Sequence, residues 1–209
     1  MLKLIQHLVV KENGTLPETS HCLYAYVLAG NGVFLKAKRE GLDVLMPVSS
    51  INIVGLPTLV PYVNLSSRVP RNLLLMALGL SRQSFPNEIL FWFNLDDCWR
   101  MDVPRQCTRP AGVMPLDNTD ARGTSALIDL HSHGALRPFF STIDNKDEQG
   151  FRIYAVLGEV NRKPTICVRV GVYSHYFDIP AFTVFEMPGE VVDAYANEWR
   201  QDESTVEQG

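Results

Sequence analysis

The chain has 209 residues, 46% hydrophobic and 20% charged, with 19 Lys and Arg against 23 Asp and Glu for a formal charge of −4. That length suits one domain with a modest appendage at about 100–200 residues per domain, and the composition excludes disorder and low complexity. A mildly acidic chain without Lys/Arg runs lacks the footprint of a nucleic-acid binder, and no stretch approaches the ~18 unbroken apolar residues of a membrane helix.

The first third reads as short β-strands. LKLIQHLVV, CLYAYVLAG and NGVFLKA are β-branched or aromatic runs separated by turn residues such as Asn13-Gly14 and Asn31-Gly32. Apolar stretches over 43–63 are broken by Pro47, Pro57 and Pro61, which argues against a helix there. Ser66 and Ser67 are N-cap candidates and Pro70 suits a first turn, ahead of RNLLLMALGLSRQ. Leu73, Met76, Ala77 and Leu80 fall on one helical face, predicting a buried helix of about three turns. A domain boundary is placed near residue 65.

EILFWFNL then reads as a well-buried strand and CWRMDV as its partner. Residues 104–124, rich in Pro, Gly, Asp and Thr, read as a long connection with one short strand; loops of that length are commonly functional. SALIDLHSH, FRIYAVLGEV and TICVRVGVY are the next strands, the last two joined by a turn at Asn161–Pro164. Val192, Tyr195 and Trp199 in EVVDAYANEWRQ suggest a short amphipathic helix before a fraying tail. Gln6 and His7 interrupt the opening segment before a signal-peptide core can form, so a cytoplasmic protein is expected. Cys22, Cys98, Cys107 and Cys167 contain no C-x-x-C pair and read as free, buried thiols.

Two of the five histidines stand as His131-Ser132-His133. On a strand, residues i and i+2 project from one face, so both imidazoles aim at one place near the strand end at Gly134. Ser141 or Thr142 can cap a helix through NKDEQ, to be ended by Gly150, with Asp144 in its first turn. Two imidazoles and one carboxylate form a three-ligand set that leaves a fourth tetrahedral position, as in catalytic zinc sites. Asp147 and Glu148 lie one turn further and read as a solvated face. Asp129 shares the strand face of His131, either as an acceptor for an imidazole N–H or as a charge on the rim. His7, His21 and His175 have no motif around them.

The full pattern, His131-x-His133, seven residues, Ser141, two residues, Asp144, resembles the H-x-H-x7-S-x-x-D signature of the JAMM metalloproteases (the JAB/MPN family). The resemblance implies an α/β (α+β) fold, a mixed β-sheet flanked by helices, with Zn2+ on His131, His133 and Asp144. By the same resemblance Glu88, in Pro86-Asn87-Glu88 after the predicted helix, is the general base and acid, although Ile89-Leu90-Phe91-Trp92 follows it where many members carry small residues. Ser141 would steady the oxyanion, a role that competes with helix capping. The stretch from HSHGALRPFF to TICVRVGVY is similar to a bacterial branch, the PRTRC genetic system protein A group and its JAB relatives encoded beside E1-like, E2-like and ubiquitin-like proteins.

The resemblance then divides the chain into a small β-rich N-terminal extension (1–64) that positions a partner, a JAB/MPN domain (65–188) and a C-terminal helix and tail (189–209). It implies a peptidase or isopeptidase acting on a ubiquitin-like protein or its conjugate, in a bacterial conjugation pathway of the kind used against phage. A hydrolase releasing a small amino acid from a sulfur-carrier protein and a non-catalytic scaffold are the alternatives. Neither nucleic acid nor membrane is expected as a partner.

Overall fold

The computed structural model describes residues 4–19, 22–117 and 119–196. His21, Trp199 and the tail therefore lie outside the described residues. The protein is a mixed α/β chain, mostly sheet with few helices, and it divides into two compact units, Met1–Ser66 and Ser67–Gly209. No helix among the described residues is long and apolar enough to cross a membrane.

The first unit is a five-stranded sheet in sequence order, β1 (Ile5–Val9), β2 (Tyr24–Ala29), β3 (Gly32–Arg39), β4 (Leu42–Ser50) and β5 (Tyr62–Leu65). β1 runs parallel to β2, and the other pairs are antiparallel. Pro47 cannot donate to a ladder; it stands in β4 opposite Phe34, beside a register irregularity at Val33/Phe34, where a sheet tolerates proline. Val27, Ala29, Phe34, Leu45 and Leu59 form the core. The buried Lys36 ammonium is held by the Asp43 carboxylate and the Tyr62 hydroxyl, 2.8 Å from the latter.

The second unit opens with α1 (Arg71–Ser84), whose buried face is Leu74, Ala77, Leu78 and Ser81. This is one position round from the predicted face, and Met76 is 47% exposed. The run Leu73-Leu74-Leu75-Met76-Ala77-Leu78 is apolar around most of the helix, so its period does not fix the phase; Ser81 joins the buried side by donating to the Ala77 carbonyl at 2.8 Å. Neither Ser66 nor Ser67 caps α1. Pro70 holds the cap position, the Arg71 N–H donates to Glu186 Oε2 at 3.3 Å, and Ser67 accepts from the Trp99 indole.

After α1 come β6 (Leu90–Leu95), β7 (Trp99–Asp102), β8 (Gln106–Arg109), β9 (Gly112–Pro115), α2 (Ala121–Ser125), β10 (Ile128–Ser132) and α3 (Asp144–Asp147). β11 (Phe151–Gly158), β12 (Thr165–Val172), β13 (His175–Ile179) and β14 (Val192–Asp193) follow, with a 3-10 turn at Ala181–Thr183. The main sheet has the order β13-β12-β11-β10-β6-β7, with β14 paired to β12. The 104–124 connection carries two strands rather than one, the β8–β9 hairpin. Val192–Asp193 is a strand, not the start of a helix: its Val192 N–H donates to the Pro164 carbonyl, and the free ladder positions of β12 outweigh helical periodicity. All four cysteines are free, but Cys98 and Cys107 are exposed and only Cys167 is buried.

β10, β11 and β12 are buried along nearly their whole length. β10 is antiparallel to β6 but parallel to β11, so the chain must cross over between them, and residues 133–150 are that crossover. It begins with a turn at Gly134, whose φ of +54° lies in the left-handed region that glycine takes without strain. It then passes directly over Gly158, where a Cβ would stand 2.4 Å from the Leu136 carbonyl oxygen and the Pro138 nitrogen. Because the obstructing atoms are backbone, Gly158→Ala should destabilise the protein by about 1–3 kcal/mol; a denaturant melt indistinguishable from wild type would show that the crossover is not seated there.

Candidate metal centre

His131 is the fourth residue of β10 and His133 follows its last, so strand alternation turns both rings to one side and Ser132 to the other. His131 and His133 are buried, at 8% and 6% exposure, and their Nε2 atoms face each other at 3.1 Å. Asp144 opens α3, with Oδ1 3.6 Å from His131 Nε2. The three ligand atoms lie within 4.8 Å of one another, the one such grouping of His, Cys, Asp or Glu among the described residues. Bonds of about 2.0–2.1 Å at tetrahedral angles set donors about 3.4 Å apart, close to the His131–His133 and His131–Asp144 spacings of 3.1 and 3.6 Å. Two imidazole lone pairs at 3.1 Å repel unless a proton or a cation stands between them, and this donor set fits a metal ion.

Burial pushes both imidazoles below their ordinary pKa, against the upward pull of the Asp144 charge. They are therefore neutral, the state in which imidazole ligates. Phe139 packs edge-on against His133, ring centroids 4.7 Å apart.

Asp144 is fixed by a reciprocal pair of bonds typical of a helix start. The Ser141 hydroxyl accepts the N–H groups of Ile143 (3.2 Å) and Asp144 (3.1 Å), while Asp144 Oδ2 accepts the Ser141 N–H at 2.5 Å. Ser141 is thus a capping residue here, and both bonds use its oxygen as acceptor, leaving the hydroxyl proton unspent by them. The helix stops at Asp147, short of Gly150.

Glu88 lies just ahead of β6. Extending the β6–β10 register, in which His131 faces Leu90, sets Glu88 opposite His133 and on the same side of the sheet. Ser132, pointing the other way, ties the two strand ends: Ile89 and Ser132 exchange bonds of 3.0 and 3.2 Å. The Glu88 N–H donates to the Arg109 carbonyl at 2.8 Å, and Gln106 brackets Leu90 on both its N–H and its carbonyl. The β8–β9 hairpin therefore holds the segment that carries Glu88. Glu88 as a whole is 6% exposed, and burial, then the Asp144 charge, pushes the pKa of its carboxyl up to about 7.

Other acids resolve differently from expectation. Asp147 is exposed, but Glu148 is not on a solvated face: its side chain is 11% exposed and pairs with Arg169. Asp129 Oδ2 accepts from Arg152 Nη1 at 2.9 Å. Arg169, Phe140 and Tyr176, which hold the crossover, were missed in the sequence; the available signal was one charge inside the otherwise apolar strand TICVRVGV. No protein-family model matches the chain, and no curated protein matches it.

The geometry predicts about one divalent cation bound per chain. His131→Ala and Asp144→Ala should each lose it, measured by elemental analysis after dialysis; equal metal content in the wild type and both variants would contradict the ligand assignment.

Proposed function

We propose that the chain is a zinc-dependent peptidase or isopeptidase of the JAB/MPN (JAMM) type, acting at the C-terminus of a ubiquitin-like protein. The observation that carries this reading is the convergence of His131, His133 and Asp144 within 4.8 Å. Two imidazole nitrogens select against Mg and Ca, which take oxygen ligands, and favour zinc among abundant metals. Three protein ligands without sulfur leave an open position, the mark of a catalytic rather than a structural site. A bound zinc ion supplies Lewis acidity, bringing the pKa of water towards neutrality and polarising a carbonyl.

The chain's own residues would do the rest. Glu88, on the ligand side of the sheet, takes the proton from the attacking water and returns it to the departing amine. Burial keeps Glu88 out of bulk water and suited to passing a proton at neutral pH. The Ser141 hydroxyl keeps a proton to donate to the developing oxyanion, so capping and catalysis use different parts of the same group.

We take the substrate to be an extended chain end, and the β8–β9 hairpin beside Glu88 supports that reading. β9 carries exposed Met114, and its hairpin holds the Glu88 segment, so an extended tail can add to it as a strand. A ubiquitin-like C-terminus is such a tail. In this reading the enzyme is cytoplasmic, matures or removes the modifier, and works with E1-like and E2-like proteins; residues 1–64 position a partner.

The test is a panel of ubiquitin-like proteins bearing C-terminal peptide extensions, incubated with the zinc-loaded chain. Wild type should cut after the modifier's C-terminus, and Glu88→Gln should lower kcat by about 10²–10⁴-fold while retaining zinc. A Glu88→Gln variant with normal turnover would place the base elsewhere, and zinc-loaded wild type that cuts nothing in the panel would remove the peptidase reading.

A further inference from the structure

The segment that carries Asp144 has little to hold itself in place. α3 is four residues long, far below the length at which a helix is stable alone, and Asn145, Lys146 and Asp147 are exposed. Asp144 must nonetheless meet histidines that sit on a different element. One buried side chain supplies the anchorage.

Arg169, 4% exposed, projects from β12. Its guanidinium carbon lies 3.9 Å from the ring centroids of both Phe140 and Tyr176. In the plane of the group, Nη1 donates to Asn145 Oδ1 at 2.7 Å, Nε donates to Glu148 Oε2 at 3.0 Å, and Nη2 donates to the same Glu148 oxygen. Phe140 immediately precedes Ser141, Asn145 immediately follows Asp144, and the Glu148 N–H closes α3 on the Asp144 carbonyl at 2.8 Å. Arg169 thus grips the crossover on either side of the capping serine and the ligand. Tyr176 adds its hydroxyl to the same clasp, its one proton shared between the carbonyls of Asn145 and Glu148, each 2.9 Å away.

We infer that Arg169 is a positioning residue for the metal centre, clamping the 140–148 segment so that the Asp144 carboxylate meets His131 and His133. The inference rests on the metal-centre reading proposed above. The chemistry calls for arginine in particular. A planar cation can stack between two rings while donating in its own plane, and a lysine ammonium has neither the faces nor the fork. Replacing a whole buried ion pair with apolar side chains often leaves fold stability intact, whereas removing one partner is strongly destabilising; positioning is therefore separated from folding by a fold readout and by variants that leave Arg169 in place.

The experiment uses Arg169→Lys and Arg169→Met in the full chain. It reads zinc affinity by chelator competition, amide hydrogen exchange in the metal-free protein, and circular dichroism. Both variants should keep the wild-type spectrum and bind zinc about 10–100-fold more weakly, as when a partner of a metal ligand is lost. Exchange should quicken at 141–148 and stay unchanged in β11, and lysine should not rescue either readout. Folded variants with wild-type zinc affinity and unaltered exchange at 141–148 would overturn the inference.

Should neither variant fold, Asn145→Ala and Glu148→Gln each loosen one arm of the clasp. Weaker zinc binding in them supports the inference, and wild-type affinity in both overturns it. A wild-type chain that binds no zinc overturns the metal-centre reading and this inference together, whereas normal wild-type binding with unaffected variants overturns this inference alone.

Discussion

The site depends on a constraint of chain direction. β10 is parallel to β11 and antiparallel to β6. The antiparallel pairing brings the start of β6, and with it Glu88, to the C-terminal end of β10. The parallel pairing forces a crossover to leave from that same end, and the crossover carries Ser141 and Asp144. His131 lies on β10 and His133 one residue past its end, with both rings on the same face. A single strand with one parallel and one antiparallel neighbour therefore gathers five chemical groups from three separate parts of the chain. Open α/β sheets place ligands at the carboxyl ends of strands for related reasons.

Burial then sets the chemistry of what the topology collects. Desolvation acts in opposite directions on the two kinds of group: it holds the imidazoles neutral and ready to ligate, and it raises the Glu88 carboxyl towards the range of a proton carrier. Arg169 works on both levels, clasping the crossover mechanically and adding its charge to burial in disfavouring a proton on His131. The buried Arg169–Glu148 pair is thus better understood as a device that specifies a loop conformation than as a source of stability.

Much of the centre is legible in the sequence because its spacing is local. His131 and His133 share a face by strand alternation, and Ser141 and Asp144 are three apart, the reach of a helix-start pair. What is not legible depends on distant partners. Glu148 stands in Asn145-Lys146-Asp147-Glu148, which reads as solvent-facing until Arg169, 21 residues on, is brought beside it. The phase of α1 is hidden because its apolar run covers most of the helix. The second strand of the β8–β9 hairpin is hidden among prolines and glycines, and Val192–Asp193 pairs with β12 only because that strand's ladder is open there.

In the proposed reading, His131, His133 and Asp144 hold zinc with a position open to solvent or substrate. X-ray absorption at the zinc edge of the loaded wild-type protein tests it most directly. Two imidazole ligands within a coordination sphere of nitrogen and oxygen at about 2.0–2.1 Å are expected. Sulfur scattering at about 2.3 Å would contradict it, because it would place the metal on one of the four cysteines.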